Sequence, residues 1–395
     1  MFTRILRAPM PLTIGVVLSL TFLVMDNAAF SQGELSRGQL VGRDFLTHWT
    51  AARLAEDGNF DAIYVPQQLA NHLPQPVRDS GALHFFAYSP QILPALAPLS
   101  ALDYHWALVA WSLGGLLAFV LAACPRSPDS GVTWILLLAP TTALNLSFGQ
   151  NGLFTAALLV GGLRLLDSRP ALAGLLFGLL TIKPQLGILI PLALAAGGYW
   201  RVMIWAVMGA LCLSALSLSL YGPEPWQAWF RAEPWGYARN FLETGTGAGI
   251  FMQVSPFVSA RLVFDNLATA WTLQLVALLL AMAGSVWAFR YVKSPLHRAS
   301  MLVTATFLAS PYAHNYDMAA LSLLLIPYLL QTPQTRGEQI AYLVIAAVWL
   351  IPLLCMPLAA LGLPVAPLVL MVFLMVSWHT QQAHKNKRST DVAER

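Results

Sequence analysis

The sequence predicts an all-α polytopic integral membrane protein, and three observations carry that prediction. The chain of 395 residues is 57% hydrophobic and only 10% charged, with a mean hydropathy of +0.63, whereas a soluble domain averages roughly 25% charged residues. Its apolar runs are broken by Pro, Gly or single charges into helix-sized pieces. A span needs about 20 apolar residues, so the chain has room for about 10–12 of them. Finally, its few basic residues distribute as topology signals do: the net charge of +4 rests on 22 Lys and Arg, and nothing in their spacing suggests nucleic acid.

In chain order the apolar runs fall near 10–30, 105–123, 131–146, 151–166, 171–182, 185–198, 202–220, 267–289, 299–310, 317–331, 339–356 and 364–379. The first has a basic start and a small-residue end at Ala29–Ser31, so it has the features of a signal peptide; we expect an uncleaved first helix. Several runs are short, notably around "TIKPQLG" and before "SPYAHNYD". Short or broken helices are tolerated in a membrane where their loose backbone is buried in protein or lines a wet cavity. Cys124, Cys212 and Cys355 show no CxxC or Cys/His spacing, which predicts neither a disulfide framework nor a zinc site. There is no internal repeat and no second soluble domain. The chain therefore reads as one transmembrane domain over 1–395, with a first outer loop at 31–104, a second at 221–265 and a cytoplasmic tail at 380–395.

With the N-terminus inside, nearly every short inner connection carries Lys or Arg, while the outer basic residues gather mainly in the two long loops, as the positive-inside rule asks. Both termini are then cytoplasmic. Five polar stretches, "GRDF" (42–45), "HFFAYSP" (84–90), "SFGQNG" (147–152), "TIKPQ" (181–185) and "SPYAHNYD" (310–317), all fall on the outer face. That shared side implies one extracytoplasmic cavity. Segment 44–57 reads as an amphipathic helix with Phe45, Leu46, Trp49 and Ala52 on one side and Gly58 as its stop, suited to the membrane interface. The Trp-rich loop 221–265 suits headgroup depth.

Each polar stretch offers chemistry beside a plainer structural role. Asp44 fits a general base that takes the proton of an attacking hydroxyl, or simply the N-cap of the following helix. Lys183 sits between apolar runs, where a charge costs about 2.5–3.5 kcal/mol on insertion scales and so usually faces a cavity and a partner. A cation there suits a phosphate leaving group; the alternative is a lysine reaching from a helix end to the interface. His314 suits a phosphate oxygen with Asp317 holding its ring, among Tyr312, Asn315 and Tyr316. Gln150 and Asn151 carry amides suited to sugar hydroxyls, or form a polar turn with Gly149 and Gly152. Tyr88, with His84 and Phe86, fits either a sugar or prenyl contact or an interface aromatic. No Walker A, G-x-G-x-x-G, H-E-x-x-H or D-x-D pattern is present, so nothing recommends a nucleotide, a metal or another cofactor.

The runs "GRDFLTHWTAARLAEDGNFDAIYVP", "FAYSPQILPALAPLSALDYHWA", "LNLSFGQNGLFTAALLVGGLRLLDSRPALAGLLFGLLTIKPQLGILIPLAL" and "SPYAHNYDM" together resemble glycosyltransferase family 87, from about residue 40 to 320. These are polytopic enzymes of the C-type glycosyltransferase superfamily, typified by polyprenol-phosphate-mannose-dependent mannosyltransferases. The resemblance implies a C-type bundle and an inverting transfer of a hexose, with mannose foremost, from a polyprenyl-phosphate donor to a lipid or glycan acceptor. It places the reaction on the extracytoplasmic face of a bacterial-type plasma membrane. Carried over, Asp44 is the general base and His314 meets the donor phosphate. From their own chemistry, Lys183 is expected at that phosphate and Gln150, Asn151, Tyr88, Tyr316 and Asp317 are expected to line the sugar or acceptor pocket. Broken helices with an embedded lysine and histidine also describe a secondary transporter, and a large outer loop a lipid-linked glycan polymerase or ligase; both remain alternatives at this point.

Overall fold

The computed structural model describes residues 9–31, 41–79, 85–123 and 130–393. Cys124 and His84, named above, lie outside the described residues. The described chain is helical, and its one β-like pairing is an isolated antiparallel bridge between Gln253 and His314.

Four helices are long and apolar enough to cross a membrane alone: Tyr104–Ala123, Trp200–Tyr221, Leu267–Tyr291 and Arg336–Ala360. A fifth span is available if the pair Gly131–Leu137 and Pro140–Phe148, bent by 47°, is counted as one. Pro140 explains the bend. It lacks an N–H for the helix before it and forces Ala139 into an extended conformation with ψ 149°, as a residue preceding proline prefers. The other apolar runs form shorter helices, among them Gly152–Leu165, Pro170–Ile182 and Pro184–Ala196. The sequence thus marks the apolar stretches correctly, but several are too short to cross unaided and end inside the protein instead.

Two of these inner helices form the centre. Pro295–Ala309 buries every residue from Ala299 onward, and Ala319–Leu329 buries all but Pro327 and Tyr328. A helix apolar on all sides belongs inside a bundle, and the "SPYAHNYD" loop is the tip of this central hairpin. Lipid-type surface appears elsewhere: Trp200–Tyr221 exposes Ile204, Val207, Leu211 and Leu218. It packs against Pro170–Leu179 through Gly174, Gly178 and Gly209, where an added Cβ would strike the facing backbone, the small-residue contact by which membrane helices approach closely. This contact fixes the position of the "TIKPQ" turn that follows.

The predicted amphipathic helix is present at Phe45–Glu56, with Gly58 at φ +70° just beyond it. Its burial is broader than one apolar face. Thr47, His48, Thr50, Ala51, Leu54 and Ala55 are buried as well as Phe45, Leu46 and Ala52, and Phe45 packs in a core with Phe86, Leu93, Leu96 and Trp111. Sequence periodicity missed this because small and polar residues here are covered by the loop 85–100 rather than by water. The second loop folds into the short helices Glu224–Ala232 and Pro234–Thr244, which leave Phe230 and Trp235 exposed.

Candidate active site

The "SFGQNG" turn is the hub of the site. Helix Pro140–Phe148 ends at Gly149, whose φ of +68° needs no side chain. A Cβ there would collide with Phe45 and crowd Gly42. That closeness lets the turn pair with "GRDF": the N–H of Gly42 donates to Ser147 O at 3.1 Å and that of Asp44 to Phe148 O at 2.9 Å. On the other side, a Cβ on Gly152 would strike the carbonyl oxygen of Tyr316 and the amide of Asn145. Asn145 Nδ2 itself donates to Tyr316 O at 2.9 Å. The turn thereby clamps the first outer loop to the tip of the central hairpin.

Asp44 occupies the N-cap position of its helix, but its side chain makes no capping hydrogen bond. Its Oδ2 instead accepts from Gln150 Nε2 at 2.7 Å. The carboxylate is therefore turned toward the hub rather than back to the N–H groups of its own helix. One helical turn later, His48 Nδ1 lies 3.1 Å from Asp44 O.

Lys183 is held in the break between two short 3-10 segments. Pro184 forces it out of the helical region, to φ −136° and ψ 71°. Only 3% exposed, its Nζ donates to Asp317 Oδ1 at 2.5 Å and Asn151 Oδ1 at 3.1 Å, and lies 5.1 Å from the centre of the Tyr316 ring. The embedded lysine thus has the partner its depth demands, and the partner is Asp317 rather than the membrane interface.

That pairing corrects the expectation that Asp317 orients His314. The ring of His314 is held by Gln253, which lies 2.7 Å away, nitrogen to nitrogen. Gln253 Oε1 accepts from Ala313 N at 3.0 Å, so its Nε2 is the donor and His314 Nε2 the acceptor. The neutral ring then carries its proton on Nδ1, which is buried and has no partner among the described residues. His314 also stacks on Tyr316 with ring centres 4.8 Å apart. Burial pushes the pKa of His314 well below the ordinary histidine value, helped by the charge of Lys183, so the ring is neutral at pH 7. His48 is shifted the same way, mainly by burial.

Tyr88 lies 5.0 Å from His48, ring to ring, and feels the charges of Lys183, Asp317 and Asp44. All eight predicted site residues therefore converge on one cluster. Three further groups belong to it that were not among the predicted site residues: His48, Gln253 and the pair Asp26–Arg43. Arg43 bonds Asp26 at 3.2 Å, and Ser147 Oγ donates to Asp26 Oδ2 at 2.6 Å, tying the first helix to both loops.

The fold and site together are those of a helical membrane protein whose inner turns close around a carboxylate, a buried lysine and several amides. The chain belongs to glycosyltransferase family 87, whose family model matches residues 86–311, over half of its length. Gln150, Asn151 and Lys183 lie within that match, while Asp44 and the stretch His314–Asp317 lie outside it. No curated protein and no solved structure matches the chain.

Proposed function

We propose that this glycosyltransferase moves a hexose, with mannose as the sugar the resemblance implies, from a polyprenyl-phosphate donor to a lipid or glycan hydroxyl on the extracytoplasmic face of a plasma membrane. The observation that carries the proposal is the Asp44 carboxylate, aimed by Gln150 into a cluster that also holds Lys183 and His314. In a single displacement, Asp44 takes the proton of the acceptor hydroxyl while its oxygen attacks the anomeric carbon. The bond from that carbon to the phosphate oxygen breaks, polyprenyl phosphate leaves with the electron pair, and the configuration inverts. Lys183 supplies positive potential at the leaving phosphate, and the unpartnered Nδ1–H of His314 gives it a directed hydrogen bond.

Two features support a lipid-linked sugar. Gln150 Oε1 and Asp317 Oδ2 are buried without partners among the described residues, and the Asn151 amide and Tyr88 hydroxyl meet beside them; such a mixture of acceptors and donors suits hydroxyls, which are both. A cavity of about 670 Å³ also begins at Gln91 and Asn151 and follows helix Gly152–Leu165 past Phe154, Leu158 and Gly161 to Arg164. It is roughly 20 Å long at 1.5 Å per residue, nearly all apolar, and suits a prenyl chain. Membranes containing the protein, incubated with labelled polyprenyl-phosphate mannose, glucose or arabinose, test the proposal. Transfer of label from one donor into another lipid or glycan supports it; no transfer from any of them, with native acceptors present, contradicts it.

A further inference from the structure

His48 plays no part in the displacement above, yet it is a buried polar group one helical turn from Asp44. The residue is 2% exposed, and its ring lies within a box of aromatic side chains. Ring centres stand 5.0 Å from Tyr88, 5.7 Å from Trp111, 5.9 Å from Phe86 and 6.4 Å from Phe45. Trp111 also lines the apolar groove that begins at Asn151. The box thus stands between the groove and Asp44, one helical turn from the carboxylate.

The hydrogen bonding of the ring fixes what it offers. Nδ1 lies 3.1 Å from the carbonyl oxygen of Asp44, and a carbonyl only accepts, so Nδ1 carries the proton. A neutral imidazole has one donor and one acceptor, which leaves Nε2 as a bare acceptor. That atom is buried and meets no donor among the described residues. Leaving such an atom unsatisfied costs a protein stability, and in native structures each instance calls for a reason.

We propose that His48 is a substrate-binding residue whose Nε2 accepts a hydrogen bond from a hydroxyl of the transferred sugar, with the partly buried Tyr88 beside it against the same sugar. The assignment rests on the polyprenyl-phosphate-sugar reading of the site. It gives His48 a role in choosing the sugar that is separate from proton removal by Asp44.

Two measurements test it. In the wild-type chain labelled with ¹⁵N-histidine and held in lipid nanodiscs, with the signal assigned through His48→Asn, the expected free state has Nδ1 protonated and Nε2 bare. Nε2 then shifts when polyprenyl-phosphate mannose is bound. A proton on Nε2 in the free protein, or an unmoved Nε2 when bound label shows the donor to be in place, overturns the assignment. The second measurement compares wild type with His48→Asn, which keeps a donor toward the Asp44 carbonyl and removes Nε2, on the natural donor and a series of single-deoxy donors. We expect kcat/KM on the natural donor to fall about 10- to 100-fold. We further expect one deoxy donor to cost the wild type about tenfold and the variant nothing more. Equal losses in both proteins across the whole series overturn the assignment. Absence of wild-type transfer from every polyprenyl-phosphate sugar overturns the reading of function instead, and the position of the His48 proton still decides what its Nε2 can accept.

Discussion

Two buried imidazoles of the site, both within reach of the Lys183 charge, differ in the atom each leaves free. His314 and His48 are both neutral by burial, yet they present opposite atoms. Gln253 takes the acceptor of His314 and leaves a donor, Nδ1–H. The Asp44 carbonyl takes the donor of His48 and leaves an acceptor, Nε2. A free donor beside Lys183 suits an anion, whereas a free acceptor beside Asp44 and Tyr88 suits a hydroxyl. On the proposed reading these atoms make a phosphate end and a sugar end, set by which backbone or amide group each ring meets.

The largest expected effect breaks the phosphate end outright. Asp317→Ala leaves Lys183 buried and unpaired, so we expect a loss of about 3–5 kcal/mol of stability, read as a lowered Tm in detergent. Replacing both residues, Lys183→Met with Asp317→Leu, should restore much of that stability and still abolish transfer. Recovery of activity in the double variant would remove the pair from the chemistry.

Next in size is His314→Ala, which deletes the free donor. We expect kcat/KM for the donor to fall about 10- to 100-fold, as for a charge-assisted hydrogen bond worth about 1.5–3 kcal/mol, with the acceptor KM unchanged. An equal rise in both KM values would erase the distinction between the ends.

The shared neutrality of the two rings sets a pH dependence. Their folded pKa values lie below the unfolded value of about 6.5, so below that pH the unfolded chain binds protons that the native chain resists. Stability should therefore be unaffected by these rings above about pH 7 and fall as pH drops from about 6.5 toward the lowered folded values. His314→Asn, which does not titrate, should show a shallower loss of Tm between about pH 6.5 and 5. A slope equal to that of wild type would contradict the buried neutral state.

The smallest effect concerns the sugar end at a distance. Asp26→Asn weakens a half-buried ion pair, worth about 0–1 kcal/mol after solvent screening, that steadies Arg43 beside Asp44. A few-fold drop in kcat with unchanged donor KM is expected, and no change in either would leave Arg43 without a positioning role.

Much of this arrangement was legible because polar residues are conspicuous in an apolar chain. Asp44, Gln150, Asn151, Lys183 and the "SPYAHNYD" loop stood out by residue type, and the structure brings them together. The pairing was less legible: nothing in sequence spacing links Lys183 to Asp317, or His314 to Gln253 in an aromatic-rich loop. Two missed groups did leave signals. His48 lies four residues after Asp44, on the same helical face, and Asp26 is an acid at the end of an apolar helix, where a charge calls for a partner. Span count was the least legible feature: the run 131–146 reads as one piece although Pro140 bends it by 47°, and the Pro184 break, visible in the sequence, separates runs each too short to cross alone.

The most direct test of the central claim is single-turnover transfer by Asp44→Asn, with donor binding measured on the same preparation. With Asp44 as the base, donor should still bind with near wild-type affinity while the rate of sugar transfer falls by about 10²–10⁴-fold, and the wild-type product should have inverted anomeric configuration. Near-normal turnover by Asp44→Asn, or a product that retains configuration, would contradict it.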